Sequence, residues 1–235
     1  MKVAILAGGQ GTRFFEESET RPKPMTEIGG RPILWHIMKH YKHCGFNDFL
    51  IALGYKGEVI RKYFDGPGGK GFKVELVDTG EQTETGGRIK RLAKNLKDGT
   101  FMLTWGDGVS DIDLKKLLEF HRSHGKLATL TVVKPKTCFG HVKLDGEKVA
   151  QFKEKAQISP EWINGAFFVL EPGIFDYISG DDTVWEKEPL EDLAKDGQLM
   201  AFKHTSFWQN MDTLHDRKVL EELWKSGRPP WKVWS

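Results

Sequence analysis

The sequence predicts an α/β fold, a mostly parallel sheet with helices on both faces. Three observations carry this. Short apolar runs alternate with amphipathic helical segments from residue 1 to about 125, an order that lays strands side by side in one direction. A glycine-rich stretch follows the first apolar run, at the strand end where open α/β sheets bind their ligands. From 126 to 170 the pattern changes to strands joined by turns, so a smaller β-rich part is expected beside the α/β half.

Val3–Ala7 is a short apolar run ended by Gly8, which suits a buried strand. In "RPILWHIMKHYKHCG", Pro32 falls in the first helical turn. Ile33, Leu34, Ile37, Met38 and Tyr41 share one face, and Gly45 stops the helix. "FLIAL" (49–53) reads as a second buried strand and "GEVIRKYF" (57–64) as a short helix. "GFKVELV" (71–77) turns Phe72, Val74 and Leu76 inward, the alternation of a third strand. "GGRIKRLAKNL" (86–96) reads as one basic amphipathic helix, and "TFMLTWGD" (100–107) as a fourth strand. Asp111 and Asp113 are expected to supply the cap and first turn of the helix that follows. "LATLTVV", "HVKLD", "KVAQFKE" and "WINGAFFVL" are the later strands, with a hairpin turn at Asp145-Gly146. Helical segments return near 172–179 and 188–196, and "DTLHDRKVLEELWKSG" (212–227) closes the pattern.

The 235 residues suit one α/β domain or two small ones. No repeat or linker divides them, so one body over 1–235 is expected. The net charge of +2 gives no global field for nucleic acid, so any anion chemistry must come from local cations. No run approaches the roughly 18 apolar residues of a membrane span, and Val3–Ala7 is too short for a signal peptide. Cys44 and Cys138 have no disulfide or metal spacing and read as reduced thiols of a cytoplasmic chain.

In "MKVAILAGGQGTR", Gly8, Gly9 and Gly11 allow backbone N–H groups to reach phosphate oxygens. The stretch is not G-x-G-x-x-G, because Phe14 stands where the third glycine belongs. Gly69-Lys70 and Gly125-Lys126 lack the Ser or Thr of a P-loop. Alone it would be a plain turn. Arg13, next to Thr12, can fork onto two phosphate oxygens, and "RPKP" presents Lys23 from a stiff segment between Pro22 and Pro24. A glycine loop, an arginine and a proline-locked lysine suit a polyphosphate. Residues 1–125 are therefore expected to form the nucleotide-binding half, and 126–235 the other wall.

"LAGGQGTR" with "RPKPMTEIGGRPILWHIM" resembles the signature of the sugar-1-phosphate nucleotidyltransferases. The similarity continues through "GYKGEVIRKYF", "LVDTGEQTETGGRIKR", "WGDGVSDID", "WINGAFFVL", "TVWEKEPL" and "FWQNMDTLHD", and is closest to the family's cytidylyltransferases. The resemblance implies a glycosyltransferase-A-like, Rossmann-like sheet. It also implies transfer of a cytidylyl group from CTP to a sugar 1-phosphate, α-D-glucose 1-phosphate, giving CDP-glucose and pyrophosphate with Mg2+.

It further implies roles. Arg13 and Lys23 would act on the reacting charge. Leu6, Ala7, Gly8, Gly9, Gly11, Thr12, Arg13, Lys23 and Asp107 would bind the nucleotide, and Thr85, Gly86, Gly87 and Arg88 would line its base pocket. Glu154, Lys155, Asn164, Gly165 and Trp185 would meet the sugar phosphate. Asp107 and Asp212 would hold the metal. Ordinary alternatives stand beside these: a turn for Asp107, a helix cap for Asp212 unless Thr213 serves, surface charge for Glu154 and Lys155, and packing for Trp185. Asn164 sits inside an apolar run, where an uncompensated amide would be costly and a ligand contact would satisfy it. Gln82 offers either a donor and acceptor to the base or a solvated loop position.

Two stretches depart from the family pattern, the short "DGPGGKG" link at 65–71 and "VKPKTCFGHV". They leave a homo-oligomer open and the acceptor less settled than the nucleotide. UTP or dTTP as donor, another phosphorylated acceptor, and an inactive nucleotide sensor remain as alternatives. No nucleic-acid or membrane partner is expected.

Overall fold

The computed structural model describes residues 1–9, 21–134, 141–153 and 162–234. Numbered along the chain, the first half contains β1 (Val3–Leu6), β2 (Glu27–Ile28), β3 (Arg31–Pro32), α1 (Ile33–His43), β4 (Asp48–Leu53), α2 (Gly57–Asp65), β5 (Lys73–Asp78), α3 (Thr85–Arg91), α4 (Ala93–Leu96), β6 (Phe101–Trp105), β7 (Gly108–Ser110) and α5 (Leu114–His124). The second half contains β8 (Ala128–Val133), β9 (His141–Asp145), β10 (Lys148–Lys153), β11 (Ile163–Leu170), α6 (Glu188–Lys195), β12 (Leu199–His204), β13 (Trp208–Asn210) and α7 (Leu214–Lys225).

Seven strands form one sheet in the order β12-β8-β11-β6-β1-β4-β5. The pairs β1–β4, β1–β6, β4–β5 and β8–β12 are parallel, and β11 alone runs against its neighbours β6 and β8. The two halves of the sequence therefore share a sheet: β8, β11 and β12 extend it instead of forming a separate β-rich body. The β9–β10 hairpin stands apart, turning at Gly146 with φ +59°, and β13 pairs with β7 in a separate two-stranded ribbon.

Alternate residues of each strand feed opposite faces. Val3, Ile5, Phe49, Ile51, Met102, Phe167 and Val169 pack with α1, α2, α5 and α7 on one side. Ala4, Leu6, Leu50, Ala52, Phe101, Leu103, Phe168 and Leu170 pack with α3, α4, the 3-10 turn Pro172–Tyr177 and α6 on the other. Both faces are thus covered, as the periodicity predicts. On the first face, Trp231 and Trp234 return from the C-terminal segment onto α1 and α7, with Trp231 edge-on to His36.

Several expectations are revised. The helix expected over 86–96 breaks at Leu92 into α3 and α4. Asp113 alone caps α5, accepting from the Lys115 and Lys116 N–H groups at 3.1 Å each. Asp111 instead pairs with His204 Nε2 at 3.1 Å and accepts from Ser206 Oγ at 2.6 Å. Among the described residues no helix is long and apolar enough to cross a membrane.

Candidate functional site

The carboxyl ends of the strands open onto a cleft of about 480 Å³. The end of β1 contributes Leu6, Ala7 and Gly9, and the end of β6 contributes Trp105, Gly106 and Asp107. The segment from Glu81 to Thr85 forms a further wall, and Lys23 with Pro24 reaches in from the turn before β2.

Lys23 is the centre of one end. Its prolines hold it at the start of a single 3-10 turn, and the side chain is nearly buried. The ammonium donates to Asp107 Oδ2 at 2.7 Å and to Asp212 Oδ1 at 2.5 Å. Burial alone would lower its pKa, but the two carboxylates outweigh burial and hold the ammonium above its ordinary range.

The carboxylates meet because β13 pairs antiparallel with β7, Asn210 opposite Gly108, and because the Met211 N–H donates to the Asp107 carbonyl at 2.9 Å. Thr213 caps α7: its hydroxyl accepts from the Asp216 N–H, and the Asp216 carboxylate accepts from the Thr213 N–H, a reciprocal box. Asp212 is therefore not spent as a cap. Asn210 Nδ2 donates to its second oxygen, Oδ2. Asn210 was missed in the sequence, where its only signal is a position two residues before Asp212.

Arg88 borders the cleft, where it was expected, and also holds the wall together. Its buried guanidinium donates to the Leu53 carbonyl at 3.2 Å, to Thr79 Oγ1 at 2.9 Å, and to the Gly80 and Glu81 carbonyls at 2.7 and 3.2 Å. Desolvation lowers its pKa, with Glu84 opposing. It borders the cleft but spends these donors on the chain. Gly8 lacks a side chain for the same reason: a Cβ there would come 2.3 Å from Arg88 Nη1.

Gly86 and Gly87 likewise answer to protein, not to open space. Cβ atoms would meet the Thr183 carbonyl at 2.7 Å and the Asp181 carbonyl at 2.4 Å, and both amides donate to the Thr183 carbonyl. Thr85 does line the cleft, donating to Glu186 Oε2 at 2.6 Å and accepting from the Trp185 N–H at 2.9 Å. Trp185 itself is fully buried, edge-on to Phe168, so the structure gives it the packing role. Trp105, stacked on Phe168, and Pro24, Glu81, Thr83 and Glu84 complete the lining and were not singled out beforehand.

Asn164 and Gly165 lie where β11 breaks register with β8, at the same edge of the sheet as the ends of β6 and β8. Asn164 Oδ1 accepts from the Ala166 N–H at 2.7 Å, which meets part of the amide's need within the chain. The Gly165 carbonyl accepts from Trp208 Nε1 at 2.9 Å, and a Cβ on Gly165 would clash with Val133. Gly11, Thr12, Arg13, Glu154 and Lys155 lie outside the described residues.

The model of the nucleotidyl transferase family matches residues 2–214. The chain is 48% identical to the glucose-1-phosphate cytidylyltransferase of Salmonella typhi, with all of both chains covered. That alignment spans 256 positions against 235 residues here, so the relative carries extra residues. The chain is 40% identical, again over all of both chains, to a probable glucose-1-phosphate cytidylyltransferase of Bacillus subtilis. The crystal structure of HddC from Yersinia pseudotuberculosis superposes with a TM-score of 0.77 at 27% identity, covering 95% of this chain and 99% of that one. A fold with its cleft at the strand ends, a full-length likeness to curated relatives, and a family model spanning nearly the whole sequence agree: the chain belongs to the nucleotidyl transferase family.

Proposed function

We propose that the chain transfers a cytidylyl group from CTP to α-D-glucose 1-phosphate, yielding CDP-glucose and pyrophosphate. One observation carries the reading: a proline-held ammonium lies between Asp107 and Asp212 at one end of the cleft. The names of the two full-length relatives support CTP and glucose 1-phosphate as the substrates.

The attacking atom is an oxygen of the sugar phosphate. The second pKa of a phosphomonoester is about 6, so the group arrives largely as a dianion and needs no base. The oxygen bonds to the α-phosphorus of CTP. The bond from that phosphorus to the β-phosphate bridging oxygen breaks, and pyrophosphate leaves with the electron pair. The obstacle is repulsion between anions, so the site must supply positive charge and alignment.

Lys23 serves the transferring phosphate with an ammonium that its neighbours keep charged. Together with Asp107 and Asp212 it carries one net negative charge, so this trio cannot by itself attract a triphosphate. Two carboxylates that reach one nitrogen fit a divalent cation. We assign magnesium to Asp107 and Asp212, whose oxygens, with phosphate and water, make its usual ligand set. Such an ion supplies the missing positive charge to the phosphates. Asn210 keeps the Asp212 carboxylate oriented. Asn164 and Gly165, at the neighbouring edge, are assigned to the acceptor side. Because nucleoside triphosphates are intracellular substrates, the reading carries a cytoplasmic location with it.

The test is pyrophosphate release across CTP, UTP, dTTP and GTP, each with a panel of sugar 1-phosphates. Release is expected with CTP and glucose 1-phosphate, lost on chelation and restored by magnesium. Activity with UTP alone would overturn the cytidylyl assignment, and silence with every pair would overturn turnover itself.

A further inference from the structure

We propose that the Glu81 and Glu84 carboxylates select the base, favouring an amino pyrimidine over an oxo pyrimidine. The inference rests on the proposed reaction and deepens it by naming what reads the nucleotide.

The cleft has two chemically different ends. Lys23 and Asp107 lie at the end of β6; the Glu81–Thr85 wall follows β5, with β1 and β4 between them in the sheet. A triphosphate would take the end where Lys23 and a magnesium on Asp107 and Asp212 together supply positive charge. It is repelled from the far wall, where Glu81 and Glu84 are both exposed and both line the cleft. The base is what remains to occupy that end.

The wall is built to hold its shape. Arg88 donates to the Gly80 and Glu81 carbonyls, and the Glu84 N–H donates to the Asp181 carbonyl at 2.9 Å. The main chain is thus pinned at both carboxylates. Both side chains line the cleft, and among the described residues neither is held by a hydrogen bond, though Glu84 lies near enough to Arg88 to raise its pKa.

A carboxylate can accept but cannot donate. Cytosine presents an exocyclic amine, a donor, where uracil and thymine present an oxygen. The amine is bonded by this wall; the oxygen meets like partial charge and loses its water without a replacement donor. The carboxylates therefore act against UTP and dTTP as well as for CTP.

The experiment measures kcat/KM for CTP and UTP, at fixed glucose 1-phosphate, in the parent, E81Q, E84Q and the double variant. A glutamine can turn its amide N–H toward the uracil oxygen. The CTP-to-UTP ratio is expected to fall by about tenfold or more in the double variant, mainly through a higher KM for CTP. A parent that prefers CTP and a double variant with the parent's ratio would overturn the base reading while the reaction stands. Should the parent turn over no pair, the reaction falls. Calorimetric binding of CTP and UTP to the same variants then decides the base reading: an unchanged affinity ratio overturns it. Melting temperatures check that both exposed substitutions leave the fold intact.

Discussion

Ala166 lies in the left-handed region at φ +61°, inside a strand and at the register break between β11 and β8. That backbone costs an alanine about 1–2 kcal/mol. The hydrogen bond from its N–H to Asn164, and that from Trp208 to the Gly165 carbonyl, hold the bulge in place. Ala166→Gly is expected to raise stability by about 1 kcal/mol, seen as a higher denaturant midpoint; an unchanged or lower one would mean that no strain is stored there. Lys23→Ala is expected to lower kcat by about 100-fold or more with an unaltered far-ultraviolet spectrum, and a near-normal rate would remove the ammonium from the chemistry. Lys23 was legible because prolines on both sides are a local signal. Arg88 was not: a guanidinium that reaches four acceptors around two glycine turns is set by tertiary geometry. Gly86 and Gly87 show a related ambiguity, since a glycine pressed by the 181–183 backbone reads in sequence like one cleared for a ligand.

At the scale of elements, helix α1 carries two buried histidines one turn apart. His36 Nε2 donates to the Ile28 carbonyl and His40 Nε2 to the Ile112 carbonyl, each at 2.8 Å. Burial pulls both pKa values from 6.5 down to about 4. Above pH 6.5 neither folded nor unfolded imidazole binds a proton; between 6.5 and 4 the unfolded one does and the folded one does not. Stability is therefore lost as pH falls through that window, at about 1.4 kcal/mol per pH unit for each histidine. His204 runs the opposite way: burial opposes its charge, but Asp111 outweighs burial and raises its pKa. Burial lowers His124 as well, so three histidines against one leave a net loss in acid, to be measured as denaturant midpoints between pH 7 and 4.5; a flat profile would contradict the buried neutral rings. Strands and helices with strong periodicity were legible: the apolar faces of α1 and of β1, β4 and β6 lie where the pattern puts them. β7 was not, because a three-residue strand holds too little pattern, and the break at Leu92 interrupts a helix whose sequence stays helical throughout.

Across the whole molecule, the chain crosses one sheet with both of its halves and then returns to the first helix. Trp231 is fully buried among Trp224, Phe207 and His36. Trp231→Ala is expected to cost about 3–5 kcal/mol, read by chemical denaturation; a cost below about 1 kcal/mol would mean that the C-terminal segment merely lies on the surface. The division into an α/β part and a β-rich part was legible as composition but not as architecture, because which strands share a ladder depends on partners far apart in sequence.

The pairing of β13 with β7 has one more consequence. These strands match over three residue pairs, Trp208 with Ser110 to Asn210 with Gly108, and form a ribbon outside the seven-stranded sheet. So short a ribbon can fray by itself while the large sheet stays closed, and fraying carries Asp212 away from Asp107. Heat should therefore silence the protein a few degrees before it melts, with turnover failing while circular dichroism still reports an intact fold.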